Sequence, residues 1–397
     1  MSRTATGPLT GVRILDLSTV LTGPVATSML ADQGADVVKV EAPGCGDITR
    51  ITGSSHNGVS AMYHLANRGK RGIVVDLSTA TGRDVLLRLV ETADVFVQNF
   101  RPGVVERMGI GYDALRSVRP DIVYLSISGF GAEGPLSQLR VYDNIVQAVS
   151  GMAMMQGGGG EPVYVRTLAS DKITALTAAQ AVTAALFARG RGAGGQHIDL
   201  AMFDATVAFL WPDTGAGCAM LDDDAGVLVS NRGYEMAAHR DGWTACAPVS
   251  DAEFQGWCRA FGAPDVADDP RFATTAQRLS QSDFPAVRRK VMAGASALTV
   301  SAALARLREE GVDAVEVVTL DRLAQHPQAI TNATFVVQDH PTAGPIREVA
   351  PAARFSATPS APGPPAPFAG QHTDEVLGEA GFTLQEIAAL RRAGAVG

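Results

Sequence analysis

The chain has 397 residues, 46% of them hydrophobic and 19% charged, with a net charge of −8. That length allows two or three domains with a large core, and the composition excludes a disordered chain. No long run of Lys or Arg is present, so no nucleic-acid partner is expected.

Val12-Arg13-Ile14-Leu15-Asp16-Leu17 reads as a strand, and Gly23-Pro24 starts a helix through Met29, Leu30 and Ala31 that Gly34 ends. Val37-Val38-Lys39-Val40, closed by Glu41, completes a β–α–β unit. Further strands are expected at 73–76, 94–97 and 122–125, with a helix over 81–92 that Thr81 caps, Asp84 lying three residues on. Strands alternating with helices imply an α/β fold with a parallel, doubly wound sheet. A helix runs from near Asp171 to about Ala188, apolar around most of its circumference and therefore buried. Its apolar stretch, Ile173 to Arg189, is interrupted by Thr174, Thr177 and Gln180 and is too short and polar to span a bilayer, so no membrane partner is expected.

Gln196-His197-Ile198-Asp199-Leu200 is a further strand, and the segment after it lacks a strong period and reads as a connection. Residues 234–249 suggest two short strands around Arg240-Asp241-Gly242, and Ser250-Asp251-Ala252-Glu253 is a capping box. Helices near 283–294 and 299–310 and a strand at 313–318 complete a smaller α+β domain. The expected organisation is 1–200 for the first part of a large domain, 201–225 for a connection, 226–328 for the small domain and 329–397 for a return to the large one. Residues 334–355 read as strands, 356–369 as a proline-rich extended connector, and Thr383-Leu384-Gln385-Glu386 as the cap of a last helix.

Cys45, Cys218, Cys246 and Cys258 form no C-x-x-C pair, and the histidines are scattered, so no metal is expected. With no charged n-region followed by an apolar h-region, a cytoplasmic, reducing location is expected. Glu41 lies where a dinucleotide site holds its ribose, but Ser18-Thr19-Val20-Leu21-Thr22-Gly23 has one glycine where three are required. Gly157–Gly160 lacks the Lys and Ser/Thr of a phosphate loop, and Ser126–Gly131 is not a nucleophile elbow.

Three places carry possible chemistry. Gln98-Asn99-Phe100-Arg101-Pro102-Gly103 follows the expected strand Asp94-Val95-Phe96-Val97, with Pro102 placed to open a helix. This is either a site for a ligand with a flat ring and anionic groups, or an ordinary strand-to-helix turn. Asp171 is either a plain N-cap or a partly buried carboxylate kept ionised for attack on a carbonyl. Arg140 and Tyr142 could meet a phosphate and a ring, or form a solvated helix start. Arg68, Lys70 and Arg71 make a short basic patch, of which a solvated cluster is the commoner kind.

Gly11-Val12-Arg13-Ile14-Leu15-Asp16-Leu17, Gly34-Ala35-Asp36-Val37-Val38-Lys39-Val40-Glu41, Asn67-Arg68-Gly69-Lys70-Arg71, Asn99-Phe100-Arg101-Pro102-Gly103, Ser128-Gly129-Phe130-Gly131, Gly195-Gln196-His197-Ile198-Asp199 and His372-Thr373-Asp374-Glu375-Val376-Leu377 occur in this order. Together they resemble the family III CoA-transferases, a group that includes formyl-CoA and carnitine CoA-transferases and the related α-methylacyl-CoA racemases. The resemblance implies a large Rossmann-like domain whose parallel sheet is completed by the C-terminal segment, a smaller domain, and an interlocked homodimer. It implies Asp171 as a nucleophile that passes through mixed-anhydride and aspartyl-CoA thioester intermediates. The partners implied are coenzyme A, as acyl-CoA, and a small or medium carboxylic acid.

CoA contacts are implied at Val75, Asp76, Leu77, Asn99, Phe100, Arg101, Arg107, Arg140 and Tyr142. The racemases carry a histidine base where Tyr142 stands. A phenol of ordinary pKa about 10 is a poor base near neutral pH, which favours a transferase over a racemase; a non-catalytic acyl-CoA-binding protein is the third reading. Leu21, Ala42 and Ser78 replace the Gln, Arg and Lys of formyl-CoA transferases, and Val229-Ser230-Asn231-Arg232-Gly233 lacks their glycine-rich loop.

Overall fold

Six segments form one parallel sheet: β1 (Arg13–Asp16), β2 (Asp36–Glu41), β3 (Arg71–Val74), β4 (Val95–Gln98), β5 (Val123–Ser128) and β6 (Gln196–Ala201). Their spatial order is β3-β2-β1-β4-β5-β6, and each neighbouring pair is parallel. The order reverses between β1 and β4, where Ile14 lies beside Val95 and Leu15 beside Phe96. Strands that diverge at such a point leave a crevice beyond their carboxyl ends. The computed structural model describes residues 6–158, 160–221 and 235–397. It divides into a large unit, up to Gly215 with Thr331–Gly397, and a small unit, Ala216–Ile330.

Side chains alternate across the sheet, so the central strands β1, β2, β4 and β5 feed two cores. One face carries Ile14, Val37, Val95, Val97, Val123 and Leu125 against helices α1 (Thr22–Asp32) and α5 (Ala169–Ala188). The other carries Leu15, Val38, Ile73, Phe96 and Tyr124 against α3 (Ala80–Val90) and the helices Thr373–Glu379 and Leu384–Arg392. Between them lie α2 (Ala61–Asn67) and α4 (Asp143–Val149), and α6 (Met202–Leu210) follows β6. The buried face of α5 is Thr174, Ala175, Ala178, Ala179, Val182 and Ala185. Such small side chains let α5 approach α1 closely.

Several boundaries differ from the sequence reading. The strand expected at 73–76 is Arg71–Val74: the Val75 N–H still donates to the Glu41 carbonyl of β2 at 2.9 Å, but Val75 also bridges Val396 and the Asp76 N–H turns to the Ala395 carbonyl at 2.9 Å. The C-terminal segment adds no strand to the sheet, contrary to expectation. It completes the covering layer and caps the edge strand β3, the His372 N–H donating to the Gly72 carbonyl at 2.9 Å and the Gly397 N–H to the Val74 carbonyl at 3.1 Å. Pairing an edge in this way blocks association through it.

Thr79, not Thr81, caps α3, since its backbone is extended and its hydroxyl accepts from the Gly82 N–H. The connection expected after Leu200 contains α6, which buries Met202, Ala205, Thr206 and Leu210. In the small unit, Trp243–Cys246 pairs antiparallel with Ala237–Ala238 and Ala314–Glu316, and the Ser250–Glu253 capping box opens a helix whose Phe254 and Trp257 enter the core. Phe335–His340 and Gly344–Val349 form an antiparallel pair of their own.

A buried ion pair closes β1. Lys70 Nζ donates to Asp16 Oδ2, the Pro24 carbonyl and Asn67 Oδ1, each at 2.9 Å, so all three ammonium protons are satisfied. Asp16 also accepts from the Ser18 N–H at 3.0 Å and the Thr27 hydroxyl at 2.6 Å. Burial raises the Asp16 carboxyl, but Lys70 and Lys39 facing it more than reverse this and hold it well below the usual carboxylate range. Lys70 is therefore no part of a solvated patch, nor is Arg68, which is buried against Asp32 and Glu348. Lys70→Met leaves Asp16 charged and buried without its ion-pair partner. It should lower the unfolding free energy by about 3–5 kcal/mol in urea titrations, and the double change with Asp16→Asn should recover part of that loss.

Candidate active site

The crevice beyond β1 and β4 is bounded by the loop from Ser18 to Leu21, whose amides are held from below. Thr19 and Asn99 bond reciprocally: the Thr19 N–H donates to Asn99 Oδ1 at 2.9 Å and Asn99 Nδ2 donates to the Thr19 carbonyl at 2.8 Å. The Val20 N–H donates to the Asp47 carboxylate at 3.1 and 3.2 Å. Fully buried Lys39 ties this layer together, donating to Asp47 Oδ2 at 3.2 Å and to the Ser18 carbonyl. Val20 has φ +71°, a left-handed conformation that is unfavourable for a β-branched residue. Strain of this kind persists only where surrounding contacts impose it, and it is commonest at functional sites.

A cavity of about 330 Å³ opens over this loop, lined by Thr19, Val20, Thr22, Asn99, Arg101, Pro102, Arg140, Tyr142 and Asp171 among others. Five of the residues singled out from sequence thus meet in one place: Asp171, Asn99, Arg101, Arg140 and Tyr142. Asp171 is 9% exposed and is the third residue of α5, whose N-cap is Leu168. The plain N-cap alternative does not hold, because the Asp171 side chain makes no cap to its own helix. The Thr22 hydroxyl, in the first turn of α1, donates to Asp171 Oδ1 instead. The Asp171 N–H donates to Asp143 Oδ1 at 3.0 Å, and Asp143 in turn accepts from Gln147 Nε2 at 2.5 Å. Gln147 also takes the Val165 N–H at 2.9 Å and donates to the Thr167 carbonyl at 3.1 Å, which fixes the approach to α5.

Burial pushes the Asp171 carboxyl up to about 6; the Thr22 hydroxyl opposes this and the nearby Asp143 carboxylate adds to it. A carboxyl held there changes its charge near neutral pH, and among the described residues no charged side chain is bonded to it. Arg101 and Arg140 are exposed at the cavity wall and supply positive charge there.

The remaining expected residues lie outside this cavity. Phe100 packs on the core and donates its N–H to Gln98 Oε1 at 2.7 Å. Arg107 is exposed at the end of a one-turn helix, Val104–Arg107. Pro102 does not open that helix: Gly103, with φ +83°, intervenes as its N-cap. Val75 is buried, Asp76 accepts from the Ser78 N–H and hydroxyl at 3.0 and 2.6 Å, and Leu77 packs on the core. The acid of the half-formed dinucleotide fingerprint is unavailable. Glu41 accepts from Arg50 at 2.6 Å, Tyr63 at 3.0 Å and the Asp47 N–H at 3.0 Å. Residues 229–233, which stand in place of the glycine-rich loop, lie outside the described residues. Among the described residues no group of three His, Cys, Asp or Glu side chains is arranged to hold a metal, and no helix is long and apolar enough to cross a membrane.

Thr22, Val20 and Asp143 also meet at this place, though no local pattern marks them. The signal nearest to hand was the charge set into apolar strands, Asp16 and Lys39, which marks a buried network under the loop.

The pattern that defines CoA-transferase family III matches residues 9–373. The acetyl-CoA:oxalate CoA-transferase of Acetobacter aceti is 38% identical over 70% of this chain and 72% of its own length. The succinyl-CoA:glutarate CoA-transferase of Mus musculus is 34% identical over 94% of this chain and 86% of its own. The crystal structure of a CAIB/BAIF family protein from Brucella suis matches with a TM-score of 0.81 at 29% identity, covering 94% of this chain and all of that one (100%).

The raised carboxyl has a consequence for stability. A folded-state value of about 6 against an ordinary 3.8 means that the folded protein holds this proton more tightly than the unfolded chain does. Stability is then fullest below the ordinary value and is lost as pH rises through about 6. Asp171→Asn should therefore stabilise the fold at pH 8, by about 1–3 kcal/mol. In urea titrations the gain should shrink as pH falls through 6 and vanish below 3.8.

Proposed function

The chain belongs to CoA-transferase family III, and from that premise we propose that it moves CoA from an acyl-CoA donor to a carboxylic acid with Asp171 as the acylated group. One observation carries the reading: a buried carboxyl, with one oxygen bonded to Thr22, lines a cavity that also holds Arg101 and Arg140. In the proposed course, the free Asp171 oxygen attacks the thioester carbon and the C–S bond breaks with its electron pair going to sulfur. The CoA thiolate then attacks Cγ of the mixed anhydride and expels the donor acid, leaving an aspartyl-CoA thioester. An acceptor carboxylate attacks the same carbon, releases the thiolate and forms a second anhydride, which the thiolate cleaves to give the new acyl-CoA. Carboxylate and thiolate exchange an acyl group at each step, and an enclosed site protects the anhydrides from water.

The relatives named for oxalate and glutarate suggest a short dicarboxylic acid as acceptor. Asn99, Phe100, Arg101, Arg107, Arg140 and Tyr142, with the turn Val75-Asp76-Leu77, are the proposed CoA contacts. The exposed apolar side chains Leu176, Phe187 and Phe209, on α5 and α6, fit a surface covered by a second copy, in keeping with a proposed interlocked homodimer. Free thiols at Cys45, Cys218, Cys246 and Cys258 suit a reducing, cytoplasmic setting.

Exchange assays that pair succinyl-, acetyl- or formyl-CoA with short diacids test the reading. Asp171→Asn and Asp171→Ala should lower transfer by about 10³-fold or more, as expected when a covalent nucleophile is removed, while CoA binding measured by calorimetry stays near that of the unsubstituted protein. Transfer that survives either change would exclude Asp171 as the acylated group. Because only the carboxylate attacks, kcat/KM should fall tenfold per pH unit below about 6.

A further inference from the structure

Thr22 is placed unlike Thr174, Thr177, Thr183 and Thr206 of the large unit. Their hydroxyls donate back to the carbonyl four residues earlier in their own helices, the usual outlet for a threonine in a helix, while Thr27, like Thr22, also reaches a carboxylate, that of Asp16. Thr22 is the first residue of α1 and has no carbonyl of its own helix behind it. Its hydroxyl is 4% exposed at the residue level, lines the cavity and donates outward, across 149 residues of chain, to Asp171 Oδ1. Among the described residues, Asp171 Oδ2 takes no comparable bond. The two oxygens of this cavity-lining carboxyl are therefore unequal: Oδ1 accepts from Thr22, and Oδ2 accepts from no group among the described residues.

We propose that Thr22 is a catalytic residue of the transfer, its hydroxyl distinguishing the two Asp171 oxygens and receiving the charge that forms on Oδ1. The inference rests on the CoA-transfer reading and assigns it a second group. When Oδ2 bonds to the thioester carbon and the thiolate departs with the C–S pair, Oδ1 becomes the carbonyl oxygen of the aspartyl half of the anhydride. When the thiolate sulfur bonds to Cγ, the Cγ–Oδ1 π pair moves onto Oδ1. That oxyanion sits against the Thr22 O–H and collapses by expelling the donor carboxylate, which leaves with Oδ2. Attack on Cγ by the acceptor carboxylate places charge on Oδ1 again. Thr22 keeps its proton throughout and needs no co-reactant. A donor fixed where charge develops acts by electrostatic preorganisation and requires no rearrangement at the moment of reaction.

The geometry has a second effect that separates it from packing alone. A hydrogen bond to an ionised carboxylate favours the ionised form, and Thr22 opposes the burial of Asp171 more than Lys172, the other group that does so. Removing the hydroxyl while keeping its shape should therefore move the acidic limb of the rate profile.

The test compares the full-length protein with Thr22→Val and Thr22→Ser, using CoA exchange across pH 5–9 and calorimetric CoA binding as the check on folding. Thr22→Val should lower kcat by about 10²-fold, in line with loss of one oxyanion donor. KM for acyl-CoA should stay within about threefold, and the acidic limb should move up by about one pH unit. Thr22→Ser, which keeps the hydroxyl, should restore kcat to within about threefold and return the limb to its original position. If Thr22→Val binds no CoA, Thr22→Ala replaces it with the same expectations. Unchanged kcat and an unmoved limb in a variant lacking the hydroxyl would overturn the role of Thr22 while leaving the transferase reading intact. No transfer by the unsubstituted protein with any donor–acceptor pair would overturn the reading itself and this step with it.

Discussion

A carboxyl group taken out of water resists ionisation, and a nucleophilic carboxylate must be ionised. Asp171, the proposed nucleophile, meets that conflict among three features. Thr22 donates to one oxygen. The start of its own helix offers favourable dipole potential in the first turn. Asp143 occupies the Asp171 N–H and keeps the turn in place, while its own negative charge pushes the other way. The outcome is a group that changes charge near pH 6 rather than a permanently charged one. Bonding to a cation would have made Asp171 a stable structural anion and a poor nucleophile.

The sheet makes this arrangement reproducible. β1 and β4 diverge at the point where the strand order reverses, so the loop after β1 and the segment after β4 face one crevice. Two buried pairs, Asp16–Lys70 and Lys39–Asp47, sit beneath that loop. Such pairs are weak sources of net stability, because desolvation offsets their attraction. Their use here is positional: Asp16 takes the Ser18 amide, Asp47 takes the Val20 amide, and Lys39 takes the Ser18 carbonyl. A loop with its polar backbone groups so committed can hold Val20 in a left-handed conformation and present Thr22 to a helix remote in sequence.

The parts of this account legible in sequence are those that local pattern controls. Apolar runs located the strands, and the capping residues at Ser250 and Thr383 marked helix starts that the structure places there. Asn99, Arg101 and Asp171 stood out because polar groups at the ends of buried elements are uncommon. Helix α6 was hidden because Phe203, Val207 and Phe209 fill the faces between its buried positions, which erases the period. Arg68 and Lys70 read as solvated because their partners Asp16, Asp32 and Glu348 lie far away in sequence. Thr22 was hidden for the same reason, since a threonine next to Gly-Pro signals only a helix start until Asp171 is brought against it.

The most direct test of the account is covalent. The protein is mixed with an acyl-CoA donor, quenched in acid or in hydroxylamine, digested and analysed by mass spectrometry. The account predicts an adduct confined to the peptide containing Asp171, as a CoA thioester after acid and as a hydroxamate after hydroxylamine. An unmodified Asp171 peptide from protein that is turning over, or an adduct on any other residue, would contradict it.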